Sequence, residues 1–316
     1  MTNSEFTGFF YLYLILFSVL TNLKYLIMNR LSRRSFISKS TFGIGSALFA
    51  SGMRFDLNEA IPAKTVKLPL GFQVWTIREQ LVKDFPGTLR MMAGLGYKTV
   101  EMCSPPGYAM AGFAPLAKMT AKEMLQIVND AGLKLVSTHY VMNELRNNLE
   151  ERIQFAIDTG QKQMILSSFG LPGTATMDDW MKAADELNKI GEKTKKAGIQ
   201  MGFHNHHNEF EKIGGVLIYD ALLKQFDPDL VKMQFQVAVI NIGYKAADYF
   251  KKYPGRFISA HLADYSETEK KNVPLGKGIV DWKEFFASVK KGGLKNIFVE
   301  MDPETFKDSA EFINNL

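Results

Sequence analysis

At 316 residues, with 46% hydrophobic and 22% charged side chains, the chain has ordinary globular composition and core enough for one large domain. Its net charge of +5 is concentrated early: residues 1–63 carry six Lys/Arg against three Asp/Glu, which leaves +2 for residues 64–316, and with no basic stripe interleaved with aromatics nucleic acid is not an expected partner. The single cysteine, Cys103, excludes an intrachain disulfide and a multi-cysteine zinc site.

Residues 1–63 read as a leader. Phe9 to Leu20 is an almost unbroken apolar run, but it is too short to cross a bilayer comfortably, and Lys24 interrupts its extension toward Met28. Ser32-Arg33-Arg34-Ser35-Phe36-Ile37-Ser38-Lys39, followed by the weakly apolar Thr41 to Ser51, has the form of a twin-arginine export signal. The expectation is an upstream extension, a start at Met28 and a periplasmic address, with membrane anchoring where the leader is retained. Ala50, Ala60 and Ala63 all qualify as cleavage sites. Residues 64–316 are expected to form one domain without a stable membrane span.

From residue 70 onward, short β-like runs alternate with longer amphipathic ones. Strands are expected near 71–75, 99–102, 133–138, 163–166, 200–203, 232–236, 257–260 and 297–300. Helices are expected over 88–95, 121–131, 149–159, 178–197, 217–225, 246–252, 282–290 and 303–315, several of them ending in a glycine that caps the helix before the next strand. Eight strand–helix units in about 250 residues match a (β/α)8 TIM barrel. A doubly wound open sheet would more often show a glycine-rich phosphate turn after its first strand. Here that turn reads Thr76-Ile77-Arg78-Glu79.

All five histidines, His139, His204, His206, His207 and His261, fall at or just after predicted strand ends. In a barrel the C-terminal ends of the strands face the site. That rule brings together Trp75, Arg78, Glu101, His139, His204, His206, Glu209, Gln236, His261, Asp264, Glu300 and Asp302. Strand alternation turns His204 and His206 one way and His207 the other. Converging imidazoles and carboxylates make a candidate divalent-metal site. The structural alternatives stay open: a lone histidine as a hydrogen-bonded structural group, Glu101 paired with Arg78, Asp302 as a helix cap, and Cys103 as a small buried side chain.

From about Leu70 onward the chain resembles the xylose isomerase-like barrel superfamily, the sugar-phosphate isomerase/epimerase and inosose-dehydratase-like group. The resemblance is carried by Gly71-Phe72-Gln73-Val74-Trp75-Thr76-Ile77-Arg78, Gly96-Tyr97-Lys98-Thr99-Val100-Glu101, Phe203-His204-Asn205-His206 with Glu209, Tyr253-Pro254-Gly255-Arg256-Phe257, His261-Leu262-Ala263-Asp264, Gly276-Lys277-Gly278-Ile279-Val280-Asp281 and Phe298-Val299-Glu300-Met301-Asp302.

The resemblance implies one divalent metal held from the fifth to eighth strands by an acid, an aspartate, a histidine and a glutamate. In this chain those positions are His204, Gln236, His261 and Glu300. Two anionic donors are thus replaced by neutral ones, which suits Zn²⁺ or Mn²⁺ better than Mg²⁺. The resemblance also implies proton abstraction beside a sugar carbonyl, with Glu300 as one catalytic group and His204, Glu209 or His206 as its partner. Trp75, Arg78, Glu101, His139, His206 and Asp264 would bind the sugar. Gly276-Lys277-Gly278 is either an anion-binding loop or a solvated turn. The expected protein is an exported isomerase or epimerase acting on a small carbohydrate. The alternatives are a one-base lyase or hydrolase-type enzyme on keto-sugars or keto-glycosides, and a catalytically reduced sugar-binding barrel.

Overall fold

A computed structural model describes residues 68–316; the expected leader, Arg33 and Arg34 included, lies outside the described residues. Eight strands form a closed barrel. They are β1 (Leu70–Gln73), β2 (Thr99–Cys103), β3 (Lys134–Val141), β4 (Gln163–Ser168), β5 (Gln200–His204), β6 (Val231–Gln236), β7 (Phe257–Leu262) and β8 (Asn296–Val299). Each pairs in parallel with its chain neighbour, and β8 closes on β1 through Gly71 opposite Phe298. The expected (β/α)8 barrel is therefore the observed one.

The strands bury one side against helices. Phe72, Val100, Met102, Leu166, Phe203 and Phe235 are fully buried, and at about 25 cal/mol per Å² of apolar surface removed from water such a layer is the main source of stability. The helices are α1 (Arg78–Lys83), α2 (Phe85–Gly94), α3 (Ala121–Asp130), α4 (Met142–Asp158), α5 (Met177–Lys196), α6 (Ile218–Gln225), α7 (Ala246–Lys252), α8 (Trp282–Gly292) and α9 (Phe306–Asn314). Their starts are locally written. Thr120 with Glu123 and Thr176 with Asp179 form capping boxes at α3 and α5, satisfying N–H groups that the helix itself leaves free.

Inside the barrel the packing is different. Gly71 has no room for a side chain, since a Cβ there would meet Thr99 Oγ1 at 2.4 Å, and the space above it is filled by polar groups. Glu101, Ser137, Gln234, Ser259 and His261 are all buried to 0% exposure. Register sets them in layers: Glu101 lies opposite Ser137, Gln234 opposite Ser259 and Gln236 opposite His261. Buried polar groups persist only when hydrogen-bonded, so this interior is committed to a network.

Three departures from the expected elements bear on the site. Trp75 is not in β1. The Gln73 side chain accepts the Trp75 N–H at 2.5 Å, which turns the chain into a 3-10 segment, Trp75–Ile77, and then into α1. Helix α4 starts at Met142, seven residues before its apolar periodicity settles, and kinks at Asn148. After β7 the chain makes a hairpin, Asp264–Ser266 against Lys271–Val273, where only a loop was expected.

Candidate active site

The polar network starts at Glu101 on β2. Its Oε1 accepts from His261 Nε2 at 2.6 Å and lies 3.1 Å from His139 Nε2; its Oε2 accepts from Gln234 Nε2 at 2.9 Å and from the Ser137 hydroxyl. Burial alone would raise the Glu101 carboxyl, but the imidazoles of His139 and His261 hold it well below the usual carboxylate range. Arg78, the alternative partner for this carboxylate, is elsewhere. The Arg78 guanidinium stacks 4.5 Å from the Trp75 ring centroid and donates to the Trp75 carbonyl. A buried carboxylate takes the nearest buried donors, and those are the histidines.

His261 on β7 is the second member. Its Nδ1 lies 2.9 Å from Glu300 Oε2 while its Nε2 faces Glu101. Carboxylates only accept, so both ring nitrogens carry hydrogen and the ring is an imidazolium. Burial pulls its pKa down, yet the carboxylates of Glu300 and Glu101 outweigh that and lift it to about 9. Glu300, one residue past β8, receives a further bond from Gln236 Nε2 at 2.7 Å on the same Oε2. Its other oxygen, Oε1, has no hydrogen-bond partner among the described residues. Burial works to raise the Glu300 carboxyl too, and His261 more than offsets it.

Above this chain of groups lies a cavity of about 210 Å³ whose wall includes Trp75, Tyr108, His139, His204, His206 and Glu300. Trp75 and Tyr108 meet edge to face at 5.8 Å and 65°, making an apolar corner. Tyr108 donates to Ser167 at 2.5 Å. A larger cavity, about 600 Å³, lies between α8, α9 and the foot of β1; it is lined by groups such as Leu70, Trp282, Phe286 and Ile313 and, among the described residues, by no acidic side chain or imidazole. Size does not decide between them, because acid–base chemistry needs titratable groups.

Most of the expected residues are brought together, and Arg78, Glu209, Asp264 and Asp302 point elsewhere. His204 sits among His139, His261 and His206 with ring centroids 5.0, 4.4 and 4.8 Å away. Burial and these neighbours push its pKa well down, so it is neutral. His206 follows the strand and stands exposed at the cavity mouth. His207 turns outward to Asn241, as alternation implied. Glu209 is buried and accepts the His206 backbone N–H at 2.7 Å, outside the cavity wall; burial raises its pKa. Asp264 is spent on its own loop, accepting from the N–H groups of Gly276, Gly278 and Val280 and from Trp282 Nε1. Asp302 makes no side-chain cap and contacts Asn272.

Gln73, Ser137, Gln234, Tyr108 and Ser167 were missed by sequence reasoning. Gln234 had a signal, since it sits two residues before Gln236 and so shares its strand face. Tyr108 had none, because its loop carries no strand-end marker.

The donor set bears on a metal. His139, His204 and His261 are buried, and one nitrogen of each lies within 4.8 Å of the others, a spacing that a metal ion could use. His204 Nδ1 is buried without a partner, an orphan that coordination would satisfy. In the quartet His204, Gln236, His261 and Glu300, the Gln236 amide presents N–H to the carboxylate and His261 Nδ1 does the same. Two donors therefore already occupy Glu300 Oε2, and neither Gln236 Nε2 nor His261 Nδ1 presents a lone pair to an ion. The triad would suit an imidazole-tolerant ion only once His261 gives up a proton now shared with a carboxylate; the quartet, as arranged, does not fit one.

The sequence profile of the family described as xylose isomerase-like TIM barrel matches residues 89–316. An inosose dehydratase of Lacticaseibacillus casei is 24% identical over 152 residues, 42% of this chain and 50% of the relative, so the chain spans half that relative's length. Inosose dehydratase 1 of Bacillus cereus is 25% identical over 286 residues, 76% of this chain and 91% of the relative. Among solved structures, a sugar phosphate isomerase/epimerase from Parabacteroides distasonis superposes with a TM-score of 0.66 at 24% identity, covering 82% of this chain and 97% of that one. That structural likeness carries the fold alone.

Proposed function

The chain belongs to the xylose isomerase-like TIM barrel family, and from that premise we propose that it is a carbohydrate-active enzyme that removes a proton from the carbon beside a sugar carbonyl. The observation that carries this reading is the state of Glu300. Its Oε2 is anchored by His261 and Gln236, while Oε1 is free at the wall of the cavity. A carboxylate held by one oxygen and open at the other is a positioned base. The imidazolium of His261 keeps it ionised. His139, His204 and His206 border the same cavity and are the groups that would orient the carbonyl, while Glu300 returns the proton to the product.

Isomerases and epimerases of this kind return the proton to a neighbouring carbon or to the other face. A second reading, β-elimination of water or a glycosidic oxygen, is favoured by the fact that Glu300 is the one carboxylate in the cavity wall. Glu101 is hidden beneath His261, and Glu209 is turned away. One base suffices for elimination, since the proton that Glu300 takes from carbon is the one it can return to the leaving oxygen. The relatives named inosose dehydratases support this second reading.

His139, His204 and, once it has lost one of its ring protons, His261 are the residues that would hold a divalent ion, Zn²⁺ or Mn²⁺ rather than Mg²⁺ given imidazole donors. When bound, the ion supplies Lewis-acid charge to a developing oxyanion. The proposed address is outside the cytoplasm, on the strength of Arg33-Arg34 and the apolar run that follows them.

Incubation of the protein with inosose or a ketose in D₂O, followed by proton NMR, tests the reading. Loss of the signal beside the carbonyl, absent with Glu300→Gln, is expected. No exchange with any ketone of this class would count against proton abstraction.

A further inference from the structure

Tyr108 is the one residue of the loop after β2, residues 104–120, that lines the cavity. Its backbone is closely tied. The Tyr108 N–H donates to the Ser104 carbonyl at 2.9 Å, the Ser104 N–H donates to the His139 carbonyl at 2.8 Å, and two prolines, Pro105 and Pro106, stiffen the turn between them. The Tyr108 ring also meets the fully buried Phe113 edge to face at 6.1 Å.

A carboxylate that plays no part in the chemistry above holds this turn. Glu144, in the first turn of α4, is 6% exposed. Its Oε1 accepts from the Ser104 hydroxyl at 2.6 Å and lies 3.2 Å from Arg152 Nε. Its Oε2 is turned against Gly107, where a Cβ would fall 2.1 Å from it, so a larger residue just before Tyr108 would displace the carboxylate.

The Tyr108 hydroxyl is placed with equal definition. It donates to Ser167 Oγ at 2.5 Å, and Ser167 Oγ donates to the Tyr140 carbonyl at 3.2 Å. A carbonyl only accepts, so the one Ser167 proton goes to Tyr140 and the Tyr108 proton goes to Ser167. Ser167, like Tyr108, lines the cavity, and both hydroxyl protons are committed within the protein. What the phenol oxygen has left to offer is a lone pair.

Resting on the carbohydrate reading above, we infer that Tyr108 reads one ring hydroxyl of the substrate, its phenol oxygen accepting a hydrogen bond from that hydroxyl, and that Glu144 is a positioning residue that sets Tyr108 through Ser104 and Gly107. A substrate with hydrogen or an O-methyl group at that ring position leaves the phenol oxygen without a donor. One with a carbonyl there sets lone pair against lone pair.

The test measures, on the full chain, the Kd of inosose and of its monodeoxy analogues, each lacking one hydroxyl, by calorimetric titration. One analogue should bind the parent protein about ten- to hundredfold more weakly than inosose, the range for a polar group left unpaired in a site. Tyr108→Phe keeps the ring and its contacts with Trp75 and Phe113; it should erase that one ratio and leave the ratios for the other analogues as they were. Glu144→Ala, or Ser104→Ala where the former does not fold, should shrink the same ratio and have no further effect on it in the Tyr108→Phe background. Glu144→Gln, whose amide oxygen can still accept from Ser104, should retain it. A ratio untouched by Tyr108→Phe overturns the inference, as does a parent protein that binds all members of the series alike or binds none. Equal weakening of every analogue by Glu144→Ala, in both backgrounds, overturns the positioning role. Deuterium exchange in the same samples keeps this idea apart from the one it rests on: selective binding without exchange leaves Tyr108 in its role and removes proton abstraction, and exchange without selectivity does the reverse.

Discussion

His261 Nδ1 lies 2.9 Å from Glu300 Oε2, and because the opposite nitrogen of the same ring reaches Glu101, this contact makes His261 a fixed cation beneath the cavity. The Glu300 carboxylate is therefore tied, through one ring, to a carboxylate at the heart of the barrel.

The pH dependence of stability follows from that tie. The folded-state pKa of His261 is raised to about 9 from an ordinary 6.5, so its contribution is fully present below 6.5 and is lost as pH rises through about 9. Glu101 and Glu300 are depressed, so theirs is present above the ordinary carboxylate value and lost on acidification through the folded one. The expected melting temperature falls on the alkaline side as His261 loses its proton, and it falls below about pH 6.5 as well, because His204, held neutral in the fold, takes up a proton on unfolding. Thermal melts across pH on the parent and on His261→Gln check this. An alkaline fall of equal size in the variant would assign it to other groups.

Glu300→Gln should lower kcat on a ketone substrate by roughly 10²–10⁴, the range for loss of a general base. An amide oxygen can still accept from His261 and Gln236, so the variant should stay folded, with near-UV circular dichroism like that of the parent. Full activity in a folded variant would move the base to one of the imidazoles.

The barrel was legible because period-two strands, amphipathic helices and glycine caps recur eight times, and each is a local signal. The histidines were legible because barrel geometry gathers strand ends. What the sequence did not disclose is how neighbours share protons. Glu101 could pair with Arg78 or with histidines on distant strands, and only register decides, by placing His261 of β7 and His139 of β3 over it. Asp264 likewise looked like a site residue from its position at a strand end. The hairpin that follows it folds the glycine loop back, and the carboxylate is consumed there.

Asp264 should therefore matter for stability. Asp264→Ala leaves three buried or half-buried N–H groups and the Trp282 indole without an acceptor, and with about 1–3 kcal/mol for each unsatisfied buried donor the total loss should exceed roughly 3 kcal/mol. Asp264→Asn keeps one acceptor oxygen and should lose less. Urea denaturation monitored by tryptophan fluorescence measures both; a loss under about 1 kcal/mol for the alanine variant would contradict the pinned loop.

Export depends on Arg33 and Arg34 in the proposed reading. Replacing both by lysine should leave the chain in the cytoplasm, as measured by fractionation and immunoblotting of cells expressing the full sequence. Equal extracytoplasmic amounts of parent and double variant would remove the twin-arginine assignment.

Gln236 tests whether the family's metal positions apply here. Its amide Nε2 donates to Glu300 Oε2 at 2.7 Å, so an uncharged donor holds this carboxylate where the resemblance implies an aspartate. Gln236→Asp removes that donor and sets a second negative charge beside Glu300. One unit of charge about 4 Å from a cation is worth a few kcal/mol even at an effective dielectric near 20, so Mn²⁺ or Mg²⁺ binding should tighten by at least roughly tenfold. Without metal the same variant should melt lower than the parent, because two carboxylates then face each other with one imidazolium between them. Turnover should fall, since the added charge opposes an anionic intermediate. Calorimetric titration of both proteins, made without a histidine tag, reads the affinity, and melting with and without Mn²⁺ reads the coupling. Unchanged affinity would mean that position 236 lies outside any coordination shell and that Gln236 serves only to hold Glu300 in place.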